Sequence, residues 1–331
     1  MTRVAINGFG RIGRNFFRAY LEREPGFEVV VNDLGDPRTM AHLLAFDSLL
    51  GPLAEEVQAD AETISVGERR LRALSIPDPV DLPWRELGVD VVVVESTGRF
   101  EQRDKAQAHL DAGARTVVIS TVAGDADVML VLGVNDDAYD PERHRVVSNA
   151  SCTTSCVTPL AKVLDDAFGV ERGFMTTVHA YTATQPLLDG PHKDLRRARA
   201  AAINLIPTTT GATRALEVVL PTLAGKIGAL AIRAPVPVGS IVDLVVELAR
   251  PAERDEVNAA FRAAAEEGAL LGILRYAEEP LVSSDIVGSP YSCIFDSELT
   301  MTSGSLVKVF GWYDNEWGYS CRLVDLVGRL Q

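Results

Sequence analysis

Three features of the sequence predict an α/β chain of two domains. A glycine-rich turn joins a short buried strand to a helix near the start, apolar strand runs alternate with helical stretches through the first half, and longer strand patterns with intervening helices fill the second. The first half is expected to form a parallel sheet that ends near Ser148, and the second an α+β domain with a mixed or antiparallel sheet.

In chain order, Val4-Ala5-Ile6 is a buried-strand pattern, and Asn7-Gly8-Phe9-Gly10-Arg11-Ile12-Gly13-Arg14 then opens a helical stretch running to about Glu22. Gly-x-Gly-x-x-Gly between strand and helix gives a tight turn, close approach of backbone to a pyrophosphate, and a helix N-terminus that meets its charge. This is the Rossmann-type dinucleotide fingerprint, with Gly8, Gly10, Arg11, Ile12 and Gly13 as cofactor residues. A second apolar strand, Val29 to Val31, ends at Asn32-Asp33, where a carboxylate suits ribose hydroxyls and repels a 2′-phosphate. The expected cofactor is NAD. Apolar runs at Val89–Val94 and Thr116–Ser120 flank a helical stretch from Asp104 to Ala112, and ligands of such sheets lie at the carboxyl ends of strands, so Ser96, Thr97 and Ser120 join the cofactor candidates. Residues 55–86 read as irregular short strands and turns broken by Pro77, Pro79 and Pro83, with no chemistry assigned.

Ser148 to Pro159, SNASCTTSCVTP, places Cys152 where a helix begins. Ser151, Thr153 and Thr154 are capping residue types, Val157 to Phe168 reads as amphipathic helix, and Pro159 suits only the first turns. A helix start favours thiolate, the form that attacks a carbonyl carbon; a buried structural thiol is the competing reading. The strand pattern Phe174–Val178 runs into His179, the candidate base, with a structural histidine as the alternative. Beyond it lies a loop rich in basic residues, Asp189 to Arg199, in which Arg196 and Arg199 offer positive charge to a phosphorylated substrate. Pro207-Thr208-Thr209-Thr210-Gly211 is an anion-binding pattern. Strands at Ala229–Ile232, which Arg233 ends, at Ile241–Leu248 and at Ser305–Trp312 accompany a helix at Glu253–Glu266, and an apolar helical face runs from Gly318 to Leu330.

Composition limits the functions open to such a chain. At 331 residues with 47% hydrophobic content it supports two globular cores, and a net charge of −14 argues against nucleic acid or an anionic membrane as partner. The four cysteines fit neither a disulfide framework nor a zinc site, so no metal is expected and a reducing, cytoplasmic setting is. No signal-like start is evident, and the aliphatic run Val91–Val94 is too short to span a bilayer.

Taken together, NGFGRIGR, SNASCTT, HAYTATQ from His179 and WYDNEWGYS from Trp312 resemble the phosphorylating glyceraldehyde-3-phosphate dehydrogenases in order and spacing across essentially the whole chain. The resemblance implies an NAD-binding Rossmann domain over 1–148, completed by a returning helix at 318–331, and a catalytic and tetramerisation domain over 149–317. It implies a homotetramer and oxidative phosphorylation of glyceraldehyde 3-phosphate with inorganic phosphate, through a thiohemiacetal and thioester on Cys152 with His179 as acid/base. Asn315 is implied to hold the nicotinamide carboxamide. Thr182 and Arg233 match the site for the substrate's phosphate, while Ser151, Thr153, Thr210 and Gly211, with Arg199 nearby, match the site for inorganic phosphate. Departures from the family pattern, chiefly Ser155 in place of the usual asparagine, raise a specialised inhibitor-tolerant or redox-sensing paralogue as an alternative. Erythrose-4-phosphate dehydrogenase is a second.

Overall fold

The computed structural model describes residues 2–330, with the side chains of 92–94 outside that description. Met1 and Gln331 therefore lie outside the described residues, as do the side chains at the end of the Val89–Val94 run. The chain divides into two compact units: one takes residues up to Leu130, Asp137–Ala150 and the chain from Ser320, and the other takes Val131–Asp136 and Ser151–Tyr319.

In the first unit, β1 (Arg3–Asn7) is followed by α1 (Arg11–Arg23), β2 (Glu28–Asn32) and α2 (Pro37–Ala45). Three short strands come next, β3 (Val57–Ala59), β4 (Thr63–Val66) and β5 (Arg69–Leu74), then the single turn α3 (Trp84–Leu87), β6 (Val91–Glu95), α4 (Arg103–Asp111), β7 (Thr116–Ile119), β8 (Val128–Met129) and β9 (Val146–Ser148). Their order across the sheet is β8-β9-β7-β6-β1-β2-β5-β4-β3. The pairs from β8 to β5 are parallel, and the β5-β4-β3 end is antiparallel. The stretch expected to be irregular thus extends the sheet as a three-stranded meander. Val4, Ala5 and Ile6 in the centre are fully buried, as a strand covered on both faces must be.

Below the carboxyl end of β6 lies a buried polar cluster. Trp84 Nε1 donates to His109 Nδ1 at 3.1 Å, His109 Nε2 lies 3.4 Å from Glu95 Oε2, and Asn7 Nδ2 donates to the same oxygen at 2.9 Å. Because Nδ1 accepts from the indole, the ring proton sits on Nε2 and faces the carboxylate. The other Glu95 oxygen accepts from Thr97 N at 2.9 Å, so a satisfied core network fixes the turn after β6.

The second unit opens with α5 (Cys152–Phe168), followed by β10 (Val170–Ala180), β11 (Ile206–Thr208), α6 (Ala212–Val219), β12 (Ile227–Ala234), β13 (Ser240–Leu248) and α7 (Arg254–Glu266). It continues through β14 (Leu274–Ala277), β15 (Cys293–Asp296), β16 (Met301–Ser303) and β17 (Leu306–Tyr313). The sheet order is β11-β12-β10-β13-β17-β15-β14, with β16 beside β17. It is mixed: β10 with β12 and β14 with β15 are parallel, and the remaining pairs are antiparallel. The last helix, α8 (Trp317–Arg329), begins in this unit, and from Ser320 onward it belongs to the first.

One face of this sheet is buried with period two, as in β13, where alternate residues from Ser240 to Leu248 are inside. Helix α5 packs closely over β17 because Gly311 has no side chain; a Cβ there would come within 2.8 Å of Cys293 Sγ and 3.0 Å of Cys156 Sγ. Phe261 of α7 stacks on Phe295 of β15 with centroids 3.8 Å apart. Burying each such side chain contributes about 1.5–3 kcal/mol.

Helix α5 differs from the expected span. It starts at Cys152 itself and carries Pro159 in its interior. Proline has no N–H for the Ser155 carbonyl, so one helical bond is lost; burial of most of the helix, including Val157, Leu160, Ala161 and Leu164, outweighs that loss.

Candidate active site

The first unit presents a cleft of about 270 Å³ lined in part by Gly8, Gly10, Asp33, Ser96 and Thr97. The carboxyl ends of parallel strands form its floor. Gly8 has φ +99°, and a Cβ on it would meet Thr97 N at 2.8 Å; a Cβ on Gly13 would lie 2.2 Å from the Gly8 carbonyl oxygen. These glycines let turn, strand and helix close on one another, whereas a Cβ on Gly10 meets nothing within 4 Å, so the turn is open where a pyrophosphate has to approach. No side chain caps the start of α1 and no acidic residue stands in its first turn, leaving its N–H groups for an anion.

Asp33 accepts from Phe9 N at 2.6 Å and from Gly35 N at 2.8 Å, which orients its carboxylate beside the turn. The other expected cofactor residues have contacts of their own within the unit. Arg11 is ion-paired with Asp47, Ile12 is half-buried in the first turn of α1, and Ser120 Oγ donates to the Glu95 carbonyl at 3.1 Å, tying β7 to β6. The residues around the cleft fit a dinucleotide: it has an open glycine turn, an uncapped helix start and an oriented carboxylate.

In the second unit, Ser151 caps α5, its Oγ accepting from Thr154 N at 3.1 Å, and Cys152 is the first helical residue. The residue before the cap, Ala150, has φ +52°, a left-handed conformation that costs a non-glycine residue on the order of 1 kcal/mol. On β10, Met175, Thr177 and His179 alternate onto the buried face, and His179 Nε2 lies 3.4 Å from Cys152 Sγ. Arg233 pairs with His179 in the parallel β10–β12 register, so the two side chains leave the sheet on the same side. Arg233 Nη1 lies 2.7 Å from His179 Nδ1.

Opposing effects act on the pair. Burial pushes the Cys152 thiol up to about 11, against the pull of Arg233 and of the backbone N–H groups of Thr153 and Cys152 itself. Burial likewise drives His179 down to about 3, reinforced by the charges of Arg233 and Arg197. Burial thus opposes the preference for thiolate expected at the helix start. A proton passing from Sγ to Nε2 creates thiolate and imidazolium together, each stabilising the other.

Of the expected anion-site residues, Arg233 stands beside the reacting pair. Its Nε is buried without a hydrogen-bond partner among the described residues, a donor left for a ligand. Thr153 is adjacent in sequence, yet its hydroxyl is bonded to Tyr313 Oη at 2.9 Å, and Thr177 meets the same phenol at 2.8 Å. Thr182 Oγ1 lies 3.0 Å from Thr184 Oγ1, and Thr210 Oγ1 accepts from Ala212 N at 3.2 Å at the start of α6, beside the exposed Gly211. Arg199 is exposed and paired with Asp189 at 3.0 Å. Arg197, named only as part of its loop, is the arginine whose charge reaches His179 and Arg233, and it holds Thr208 Oγ1 at 2.8 Å and the Thr209 carbonyl at 3.1 Å. Asn315 Oδ1 accepts from Ser240 Oγ at 3.0 Å, and Ser240 Oγ in turn accepts from Ala180 N at 3.1 Å.

In the sequence Tyr313 stands only inside the motif WYDNEWGYS, with no role of its own. It is fully buried, its ring stands edge-on to His179 at 5.9 Å between centroids, and its hydroxyl ties α5 to β10. Inward alternation along β17 was the available signal, since Val307, Val309, Gly311 and Tyr313 all face the core.

A nucleotide cleft over parallel strand ends and a thiol coupled to a neutral imidazole are the equipment of an NAD-dependent dehydrogenase. Comparison with known proteins agrees: residues 2–103 match the family model described as "Glyceraldehyde 3-phosphate dehydrogenase, NAD binding domain", and residues 151–315 match its C-terminal domain. A glyceraldehyde-3-phosphate dehydrogenase of Streptomyces coelicolor is 60% identical over 98% of this chain and 97% of its own length. One from Kitasatospora aureofaciens is 58% identical over 100% and 99%, and one from Mycobacterium avium 59% identical over 99% and 98%. The chain belongs to the glyceraldehyde-3-phosphate dehydrogenase family.

Proposed function

We propose that the protein oxidises glyceraldehyde 3-phosphate to 1,3-bisphosphoglycerate, with NAD and inorganic phosphate, through a thiohemiacetal and then a thioester on Cys152. The observation that carries this reading is the 3.4 Å contact of Cys152 Sγ with His179 Nε2 beside the unsatisfied Arg233. As Sγ attacks the aldehyde carbon, Nε2 takes the thiol proton and returns it to the new oxygen. On oxidation, the same nitrogen accepts the hydroxyl proton; bound NAD supplies the acceptor for the hydride. Phosphate then attacks the thioester carbonyl and the Cys152 sulfur leaves as thiolate, so the energy of oxidation is kept in the acyl phosphate.

Arg233 with Thr182 is taken as the seat of the substrate's own phosphate. Ser151, Thr153, Thr210 and Gly211 are taken as the inorganic phosphate site, with Arg197 in the part first given to Arg199. Asp33 is taken to hold the adenosine ribose, and Asn315 the nicotinamide amide. Local arginines matter here because the chain's net charge of −14 repels anions at long range.

A homotetramer forms part of the same reading. By register, Phe174, Leu230, Met301 and Leu306 share the outer face of the second unit's sheet and are 77%, 45%, 62% and 50% exposed. Leu187, Leu188, Leu195 and Ile203 of the loop after β10 are more than 70% exposed as well, as residues awaiting a neighbouring subunit would be. All four cysteines are free thiols, which suits the reducing cytoplasm, and no helix among the described residues is long and apolar enough to cross a membrane.

The relatives' names favour neither erythrose 4-phosphate nor a specialised paralogue. Steady-state turnover of both aldehydes, with and without phosphate, tests the substrate: the triose with phosphate is expected to be used best, and a strong preference for erythrose 4-phosphate would refute the proposal.

A further inference from the structure

The first unit has another cavity, of about 430 Å³, at the opposite end of its parallel strands from the dinucleotide cleft. The cleft sits over the carboxyl ends of β1 and β2, whereas this cavity reaches Arg3 and Glu28, the first residues of those strands. It exists because β2 and β5 pair only from Val30 and Arg72 onward; before that point Glu28 and Val29 part from Arg69, Arg70 and Leu71 and leave a slot between the strands. Phe17 and Tyr20 of α1, with ring centroids 5.4 Å apart, make an apolar wall, and Tyr20 Oη donates to the Phe27 carbonyl at 2.9 Å.

The charges around the slot do not balance. Four arginines line it against one carboxylate. Glu28 is taken by Arg3, whose Nε donates to it at 2.9 Å, and Arg69 is paired with Glu24 at 2.9 Å. Arg70 and Arg72 are exposed, and their side chains make no hydrogen bond or ion pair among the described residues. The charge of Arg70 acts on Asp60, whose own carboxylate accepts from Glu62 N at 2.9 Å. Both arginines stand on β5, an inner strand between β2 and β4, on the face that Arg72 shares with Val30 by parallel register. Two residues further on, Leu74 of the same face packs against the core cluster that contains Val30. Two unpaired guanidiniums, on residues about 7 Å apart along the strand, thus stand where the core would otherwise continue.

We propose that this slot is a binding site for a small phosphate monoester carrying a flat apolar group, the chemistry of a nucleoside monophosphate. A phosphate bridging Arg70 and Arg72 accepts from both guanidiniums and relieves their mutual repulsion. A flat group suits the slot because it has to enter between two strands, with Val29, Val30 and Leu71 beside it and the ring of Tyr20 at the end. The volume falls within the span of small-molecule sites, about 300–1,000 Å³. With a net charge of −14 the chain repels anions at long range, and this cationic pair supplies a local attraction against that field. The slot shares no lining residue with the dinucleotide cleft and includes neither Cys152 nor His179, so the inference is independent of the dehydrogenase reaction.

Calorimetry on the intact protein tests the site, with phenyl phosphate as the probe and with NAD and inorganic phosphate present to fill the catalytic site. One molecule of probe is expected to bind per chain. Methyl phosphate has the same head without the ring and is expected to bind about tenfold more weakly or worse. Arg70→Gln combined with Arg72→Gln, both at exposed positions, is expected to weaken phenyl phosphate by about tenfold or more and to leave dehydrogenase turnover unchanged. Arg72→Gln alone is expected to give a smaller loss in the same direction, and unchanged turnover in each variant shows that the chain is folded. Absence of binding with the catalytic site filled, equal affinity for methyl phosphate, or an affinity that neither variant changes overturns the proposal.

Discussion

Cys152→Ser removes aldehyde oxidation by a factor of about 10⁴ or more, while NAD binds as before. The size follows from the role of the sulfur: deleting a covalent nucleophile removes the route itself, and what remains is background catalysis from binding and orientation. A serine hydroxyl 3.4 Å from a neutral imidazole is a far weaker nucleophile than the thiol, because its proton is harder to remove and its oxygen less polarisable. NAD binding persists because the glycine turn and Asp33 belong to the first unit, which does not include Cys152. Turnover by absorbance of the reduced nicotinamide and NAD binding by calorimetry separate the two effects, and retained turnover contradicts the assignment.

The second large effect is expected at His179. His179→Asn keeps a polar side chain on the buried face of β10 and removes the ring that takes the thiol proton, so kcat falls by about 10²–10⁴, the usual contribution of a general base. Binding of the substrate's phosphate is set by other residues, so KM changes much less than kcat. Alkylation of Cys152 by a neutral reagent at pH 7 is expected to slow as well, because burial raises the thiol and its proton acceptor is gone. A variant in which kcat holds and only KM moves would make His179 a binding residue.

What the sequence discloses tracks how local each physical constraint is. The glycine turn was legible because Gly8 and Gly13 are required by contacts of the backbone with itself, at φ +99° and at 2.2 Å from a carbonyl. Cys152 was legible as a helix start because capping is decided within four residues, although Pro159 suggested a later beginning than packing allows. Arg197 and Arg199 are not told apart by the sequence, because a loop has no period from which to read side-chain direction; in the folded chain Arg197 holds Thr208 and Arg199 holds Asp189. The meeting of His179 with Arg233 depends on the parallel register of two strands some fifty residues apart, which no local pattern encodes. Nor did composition warn that burial would outweigh the helix start at the thiol, since burial is a property of everything packed around it.

The phosphate sites show the same boundary from the other side. Thr153 has the residue type and position expected of an anion ligand, yet its hydroxyl is engaged by Tyr313, which ties the nucleophile's helix to the strand of the base. That linkage is set by the burial of the phenol between α5 and β10, and it constrains the geometry on which proton transfer depends.

Intact-mass measurement tests the covalent route most directly. Protein mixed with glyceraldehyde 3-phosphate and NAD, with phosphate withheld, is expected to gain the mass of one phosphoglyceroyl group, localised to the peptide of Cys152 and lost when phosphate or hydroxylamine is added. Full consumption of the aldehyde with no acyl group on Cys152, under conditions that trap a thioester, would contradict the mechanism.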